Sequence, residues 1–274
     1  VAFEGWNDAA ESATTALKRI CDQMETETLA AVDPEDYYDF QFSRPAVHFD
    51  ELGNRELTWP GTEFLRASKQ SSEQNPRFGE IFALLGVEPA RRWKSFTVEV
   101  LEMIEDSEID SVVFLGAMLA DVPHTRPIPV MATSQNAMLR QELGIERSNY
   151  EGPVGILSVL GIALEAAGIP SMALWASVPH YVQSAPSPKA ALALLIELEK
   201  YLGIQFDHAS MAEDAFAWER GIDDLAEGDE EMASYITQLE RSRDELESER
   251  ANGDALAQEL ERFLQGKADD EPRP

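Results

Sequence analysis

The stretch SVVFLGAMLADVPHTRPIPVMATSQN, Ser111–Asn136, decides how this chain folds. It opens with an almost purely apolar run at Ser111–Leu115, which is typical of a central strand covered on both faces. A loop over Gly116–Pro127 follows, and Val130–Thr133 indicates a second strand. Because ligands of open α/β sheets bind in loops just beyond the strand C-termini, Met118–Arg126 is the first place to look for a site.

The chain before this stretch has the pattern of an α/β protein. Val1–Phe3 and Thr28–Val32 are predicted strands on either side of a helix over Ala9–Met24, whose apolar residues recur every three or four positions. Residues 40–86 indicate a strand-rich insertion with a hairpin turn at Glu51-Leu52-Gly53-Asn54, which returns to the main sheet at Phe78–Leu85.

The chain after this stretch continues the pattern. A helix is predicted to start at Glu88-Pro89, and Ser171–Ala176 indicates another strand. The helix Ile156–Ala167 is apolar almost all round, so we expect it to be buried. A further helix is predicted over Lys189–Tyr201. The predicted fold class is therefore α/β, with a mixed central sheet flanked by helices.

The character changes after residue 208. Ser210 and Glu213 have the spacing of a capping box at a helix start, and Asp254 can cap a last helix. Residues 210–274 hold 20 acidic and 7 basic side chains. We predict an α/β domain over 1–208, an acidic, antiparallel helical appendage over 209–266 and a disordered tail over 267–274.

Composition excludes several classes of function. The net charge of −29 argues against nucleic acid and anionic membranes as partners, because their phosphates would be repelled. No apolar run reaches about 18 residues, so no membrane span is expected. Cys21 is the single cysteine, which rules out a disulfide within the chain and favours the cytoplasm. Its helical position among apolar residues favours core packing over nucleophilic chemistry.

Two loops carry the candidate site residues. In DVPHTRP, Asp121 and His124 could form an acid–base pair; alternatively, Arg126 pairs with Asp121 and holds the loop in shape. In VPHYVQS, His180 and Tyr181 could bind a ligand or form a contact between subunits. These five residues are the candidates for a ligand or partner site.

Other motifs give weak signals. Gly152 and Gly155 precede a helix and could seat an anion on free N–H groups, or they could simply allow tight helix packing. His48 and His208 are expected to be structural. The sequence contains no HExxH, CxxC or GxSxG motif, so we predict no catalytic residue, no metal and no cofactor.

Several segments together resemble the proteasome assembly chaperone 2 (PAC2) family, in particular its actinobacterial branch. They are EGWNDAAESA at 4–13, LLGVEPARRW at 84–93, VVFLGAMLADVPHTRP at 112–127, GPVGILSVLGIALEAAGIPSMALWASVPHYV at 152–182 and SPKAALALLIELEKYLGI at 187–204. The resemblance covers about residues 1–225. It implies a phosphorylase/hydrolase-like fold, similar to that of nucleoside phosphorylases, and a chaperone-like, non-catalytic role.

Two functional hypotheses follow. The first is a self-associating interaction protein, forming homo-oligomers such as a trimer, whose acidic helices present a surface to another protein assembly. Archaeal relatives that dock on the proteasome end in a hydrophobic-Tyr-any tripeptide, which Pro272-Arg273-Pro274 does not match. The second is a binder of nucleoside-like or anionic small molecules, or a hydrolase or phosphorylase, that uses the strand-end loops.

Overall fold

The computed structural model describes residues 1–68, 80–182 and 186–248, and it confirms the α/β class. The strands are β1 (Ala2–Glu4), β2 (Glu27–Ala31), β3 (Ala46–Phe49), β4 (Arg55–Thr58), β5 (Thr62–Arg66), β6 (Phe82–Val87), β7 (Val112–Ala120), β8 (Val130–Thr133) and β9 (Ser171–Pro179). The helices are α1 (Ser12–Gln23), α2 (Pro34–Tyr37), α3 (Trp93–Asp106), α4 (Ala137–Leu143), α5 (Ile156–Ala167), α6 (Pro188–Leu202), α7 (Ala209–Glu227) and α8 (230–248).

Two ladders join into one mixed sheet. The first has the order β2-β5-β6-β1 and the second β7-β9-β8, with the β1/β6 and β7/β9 pairs parallel. The Leu115 N–H donates to the Val1 carbonyl and the Ala117 N–H to the Asn7 carbonyl, both at 2.8 Å, which connects β7 to the chain around β1. The strand order is therefore β2-β5-β6-β1-β7-β9-β8.

Helices cover both faces of this sheet. One apolar core contains side chains of α1 and α6 with those of β7 and β9, including Leu115 and Leu174. The other contains side chains of α3 and α5 with Phe3 and Phe114. Cys21 lies in the first core, as predicted. Strands buried on both faces explain why the sequence of β7 is apolar without alternation.

Several predicted boundaries are wrong. β7 runs to Ala120, five residues past the predicted end at Leu115, because β9 pairs with it residue for residue up to Ala120 opposite Pro179. The helix predicted from Glu88 begins at Trp93, after Arg92 in the left-handed region at φ 56°. The loop after β7 therefore starts at Asp121.

Two predictions about helices also fail. Ser210 and Glu213 form no capping box: the Ser210 hydroxyl accepts a hydrogen bond from Arg19 Nη2 at 2.6 Å. Helix α5 has the predicted bounds, but Ile162 is 64% exposed.

The region between β2 and β5 contains the predicted hairpin. Strands β3 and β4 pair only with each other, and every residue in both strands is exposed. The Asp50 carboxylate accepts N–H groups of Leu52 and Asn54 within the turn. The chain then returns to the main sheet through β5 and β6.

Some predictions fall on residues outside the described ranges: the first part of Phe78–Leu85, the last helix from Asp254 and the tail 267–274. Within the described ranges, no helix has the length and apolar character needed to span a membrane. The division at residue 208 and the phosphorylase-like label stay predictions.

Candidate functional site

The two candidate loops lie side by side. Strands β7 and β9 are parallel and in register, so both strands end at the same edge of the sheet. Asp121–Pro127 follows β7, and a one-turn 3₁₀ helix at His180–Val182 follows β9. The structure thus brings the five predicted residues into one cluster, and α7 and α8 contact it.

His124 lies at the centre of this cluster and is completely buried. Its backbone N–H donates to the Tyr181 hydroxyl at 2.7 Å, and this hydroxyl lies 2.9 Å from His124 Nδ1. His124 Nε2 lies 3.0 Å from Asp223 Oδ1 on α7. A neutral imidazole satisfies all three contacts when Nδ1 accepts the Tyr181 proton and Nε2–H donates to Asp223.

This tyrosine–histidine–aspartate chain connects the loops after β7 and β9 to α7. Burial raises the pKa of the Tyr181 phenol to about 12, whereas an activated nucleophile needs a lowered pKa. The predicted pairing of Asp121 with His124 is also wrong, because the carboxylate that meets His124 belongs to Asp223. The geometry therefore favours a role in holding α7 on the body.

Arg126 binds α8. Its Nε and Nη2 donate to the two carboxylate oxygens of Asp244 at 2.8 and 2.9 Å, and its Nη1 lies 3.2 Å from Glu240. The neighbouring Thr125 hydroxyl also donates to Glu240. Hydrogen bonding to Arg126 holds the pKa of the Asp244 carboxyl below its ordinary value. The alternative pairing of Arg126 with Asp121 is therefore wrong.

The remaining candidates face α8 through Tyr235. The Tyr235 hydroxyl donates to Asp121 at 3.3 Å. His180 Nδ1 lies 3.2 Å from the same carboxylate, without the alignment of a hydrogen bond. The rings of His180 and Tyr181 pack edge-on against the Tyr235 ring, with centroids 5.6 and 6.2 Å away.

Lys189, at the start of α6, adds another contact of the same kind. Its ammonium group donates to the His124 carbonyl and to the Glu219 carboxylate on α7. His124, Arg126 and Lys189 are therefore each met by a carboxylate of α7 or α8. The carboxylates belong to Glu219, Asp223, Glu240 and Asp244.

Sequence reasoning missed these four acidic residues, although their spacing carried a signal. Glu219 and Asp223 are four residues apart on α7, and Glu240 and Asp244 are four apart on α8. Such spacing puts like charges side by side on one helix face, which destabilises an isolated helix. Two such pairs indicate that a basic surface elsewhere in the fold offsets the repulsion between the carboxylates of each pair.

The predicted anion seat before α5 is occupied by the chain itself. Glu88 Oε1 accepts the Ile156 N–H at 2.8 Å, at the first residue of the helix. A carboxylate there is favoured by the helix dipole. Gly155 packs so closely on Asn7 that an added Cβ would lie 1.9 Å from Asn7 Oδ1. The anion at the start of α5 is therefore the Glu88 carboxylate of the same chain. Close packing on Asn7 accounts for the glycine at position 155.

The other histidines make local contacts. His48 lies between Glu56 and Thr58 on the hairpin, and His208 lies 3.6 Å from Glu199. In the described ranges, no group of three or more histidine, cysteine or acidic side chains has the arrangement of a metal site.

The family of the chain is identified by comparison with known proteins. The model of the PAC2 family matches residues 2–226. The chain belongs to the PAC2 family. The match covers the sheet, both candidate loops and almost all of α7, in agreement with the predicted extent of the resemblance.

Solved structures similar to this PAC2 chain include actinobacterial proteins. A PAC2 family protein from Streptomyces avermitilis is 42% identical, with 86% of this chain and 97% of that chain covered and a TM-score of 0.75. A proteasome-assembly chaperone homologue from Mycobacterium tuberculosis is 39% identical, with coverage of 86% and 98% and a TM-score of 0.75.

A more distant similarity extends to archaea. Pyrococcus furiosus PbaB, an archaeal proteasome activator, is 14% identical, with 81% of this PAC2 chain and 90% of that chain covered and a TM-score of 0.60. At this identity the similarity shows the fold alone. A search of curated proteins gives no match to the chain.

Proposed function

We propose that this PAC2 protein is a proteasome-assembly-chaperone-like module that works by binding protein, associates with itself and catalyses no reaction. The actinobacterial relative described as a proteasome-assembly chaperone homologue supports the chaperone-like role. Membership of the PAC2 family supports it over the full length of the α/β body.

The proposal rests on the contacts that the candidate residues make with other parts of the same chain. Asp121 meets Tyr235, His124 meets Tyr181 and Asp223, and Arg126 meets Asp244. Side chains that a small-molecule site would aim at its ligand are thus directed at α7 and α8. The loops therefore serve as an attachment surface for protein helices.

Exposed apolar side chains elsewhere support self-association. Phe42 is 84% exposed, Phe49 69% and Ile162 64%. Exposed apolar residues are ordinary when scattered singly, but contiguous patches mark interaction sites. Four of the exposed apolar residues lie on the β3–β4 hairpin, namely Val47, Phe49, Leu52 and Leu57.

Light scattering tests the proposal. We expect the full chain, at micromolar concentration, to elute as a stable oligomer with at least twice the mass of one chain. Burial of apolar surface supplies the free energy of association. A single-chain mass across the same concentrations would contradict self-association.

A further inference from the structure

We propose that α8 is a displaceable cover on the strand-end loops, and that the surface beneath it binds an acidic helix of another protein. The inference rests on the proposed protein-binding function and assigns it a site and a kind of partner. We call this site the loop surface. It consists of the loop residues that contact α8, namely Asp121, Thr125, Arg126, His180 and Tyr181.

Few buried side chains attach α8 to the rest of the chain. Of residues 230–248, only Ile236 and Leu239 are buried. Helix α7 is held more firmly, because its Asp223 binds the fully buried ring of His124. It also buries four apolar side chains, namely Met211, Ala215, Ile222 and Ala226. Segments with few buried apolar contacts open at the lowest free energy, so α8 separates from the body before α7 does.

The ion pairs of α8 with the loop surface are partly exposed to water. The side chain of Arg126 is 32% exposed, and those of its partners Glu240 and Asp244 are 26% and 53% exposed. Such pairs contribute little to stability, because water and salt screen them. They set the position of the helix on the loop surface and leave its attachment reversible.

The start of α8 allows the helix to move as a unit. Gly228, which is exposed, and Asp229 join the end of α7 to α8. The Asp229 carboxylate accepts the N–H groups of Glu231 and Met232. This cap comes from the joining segment itself, so α8 keeps it after leaving the body. Glycine gives the joint the backbone freedom that such a movement needs.

The extent of the family match separates the cover from the surface beneath it. The PAC2 model matches residues 2–226, which include the loop surface and almost all of α7. Helix α8 lies entirely after this range. The loop surface therefore belongs to the matched body, and α8 is an addition that covers it.

The groups that α8 covers specify an acidic partner. Nε and Nη2 of Arg126 bind the two carboxylate oxygens of Asp244, a geometry that recognises a carboxylate by two parallel hydrogen bonds. The Thr125 hydroxyl donates to a second carboxylate, that of Glu240. When α8 leaves, these donors face solvent and can bind the carboxylates of another helix.

The other end of the loop surface specifies an aromatic residue and a direction. The Tyr235 hydroxyl donates to Asp121, and the Tyr235 ring packs edge-on against the rings of His180 and Tyr181. Residues three and four apart on a helix lie side by side, so α8 presents one face to the site. That face carries Tyr235, Ile236, Leu239, Glu240 and Asp244. A partner helix fits when it has an aromatic, two apolar and two acidic residues at these spacings.

A fluorescent peptide with the sequence of residues 229–248 is the probe, and anisotropy measures its binding to the full chain. In the released variant, Glu240→Lys/Asp244→Lys, repulsion from Arg126 displaces the chain's own α8. We expect this variant to bind the peptide at least ~10-fold more tightly than wild type, because the attached helix no longer competes at high effective concentration. Glu230→Lys/Glu231→Lys is the matched control, with the same change of charge at exposed residues of α8. It should bind the peptide as weakly as wild type.

Two further changes show whether the peptide occupies the loop surface. Adding Arg126→Asp to the released variant should abolish binding, because a carboxylate then faces the acidic residues of the peptide. A peptide that itself carries Glu240→Lys and Asp244→Lys should not bind the released variant. Binding that survives either change would overturn the assignment of the site.

A second released variant guards against misfolding, which circular dichroism checks in every sample. Ile236→Ala/Leu239→Ala removes the two buried side chains of α8 without changing its charge, so it should give the same gain in affinity for the peptide. The inference is overturned if neither released variant binds the peptide more tightly than wild type does.

Light scattering on the same samples separates this inference from the proposed function. Tight peptide binding by a released chain, together with a single-chain mass for wild type, would support the loop surface and contradict self-association. A wild-type oligomer whose released variants gain no affinity for the peptide would leave self-association intact and overturn the loop surface as a partner site.

Discussion

Replacing His124 with Ala is expected to lower the free energy of unfolding by about 3 kcal/mol. The substitution empties the space of a fully buried ring and removes the ring nitrogen that accepts the Tyr181 hydroxyl proton. It also breaks the contact that ties Asp223 of α7 to the loop after β7. The loss combines a cavity with two lost hydrogen bonds, which is why we expect it to be large.

Chemical denaturation at neutral pH measures this effect. His208→Ala is the matched control, because the His208 side chain is 40% exposed and its carboxylate neighbour is 3.6 Å away. The control should stay close to wild type. If His124→Ala matched the control, the buried contact between the loop and α7 would contribute nothing to the stability of the fold.

Replacing Asp8 with Ala is expected to cost about 2 kcal/mol of stability. Asp8 is buried and its carboxylate accepts the N–H groups of Ala13 and Thr14 and the hydroxyl of Thr14. The two N–H groups belong to the first turn of α1 and have no acceptor within the helix. Glu11, the residue before the helix, provides no side-chain cap for them. Without the carboxylate, all three donors lose their acceptor.

The Asp8→Asn variant separates the hydrogen bonds from the charge. Burial raises the pKa of the Asp8 carboxyl above its ordinary 3.8, against the opposing effect of its hydrogen bonds. The folded state therefore binds this proton more tightly than the unfolded state. The proton-linked part of the stability that Asp8 contributes is complete below the unfolded pKa and is lost as pH rises through the raised folded pKa, while the hydrogen bonds to Ala13 and Thr14 remain.

This sign gives a comparison that denaturation at several pH values can check. Relative to Asp8→Asn, which cannot ionise, wild type should be more stable in acid than at neutral pH. The difference between the two unfolding free energies should change between the ordinary pKa of 3.8 and the raised pKa of the folded state. It should stay constant at pH values above the raised pKa. A difference that is independent of pH would show that Asp8 has the same pKa in both states.

The sequence predicted the body of the fold because its signals are local. The apolar run before Leu115 indicates a buried strand, and the Glu51–Asn54 turn indicates a hairpin. Polar residues at the ends of β7 and β9 come together because parallel strands in register end at one edge. Periodicity and position in the chain were sufficient for these features.

The contacts of the two loops with α7 and α8 could not be predicted in the same way. His124 and Asp223 are 99 residues apart and Arg126 and Asp244 are 118 apart, so no local pattern links them. The Ser210 cap failed for the same reason, because Arg19, 191 residues away, binds its hydroxyl. Long-range pairing overrode the local motif.

Helix α5 shows a different limit. Its composition predicts burial, whereas Ile162 is 64% exposed in the single chain. Only Ile156, Leu157, Leu160 and Leu164 of this helix are buried. Apolar composition alone therefore did not identify which positions of the helix face the core.

The strand-end loops bind the acidic helices of the same chain, and the contact of Arg126 with Asp244 allows the most direct test. Amide hydrogen exchange of 230–248 tests this contact in wild type, Arg126→Asp, Asp244→Arg and the double variant that swaps the two charges. Ser242→Arg is the control, because Ser242 is exposed and lies away from the crevice between Arg126 and Asp244. We predict faster exchange in each single variant, recovery in the swap and no change in the control. Single variants that exchange like wild type would contradict the claim.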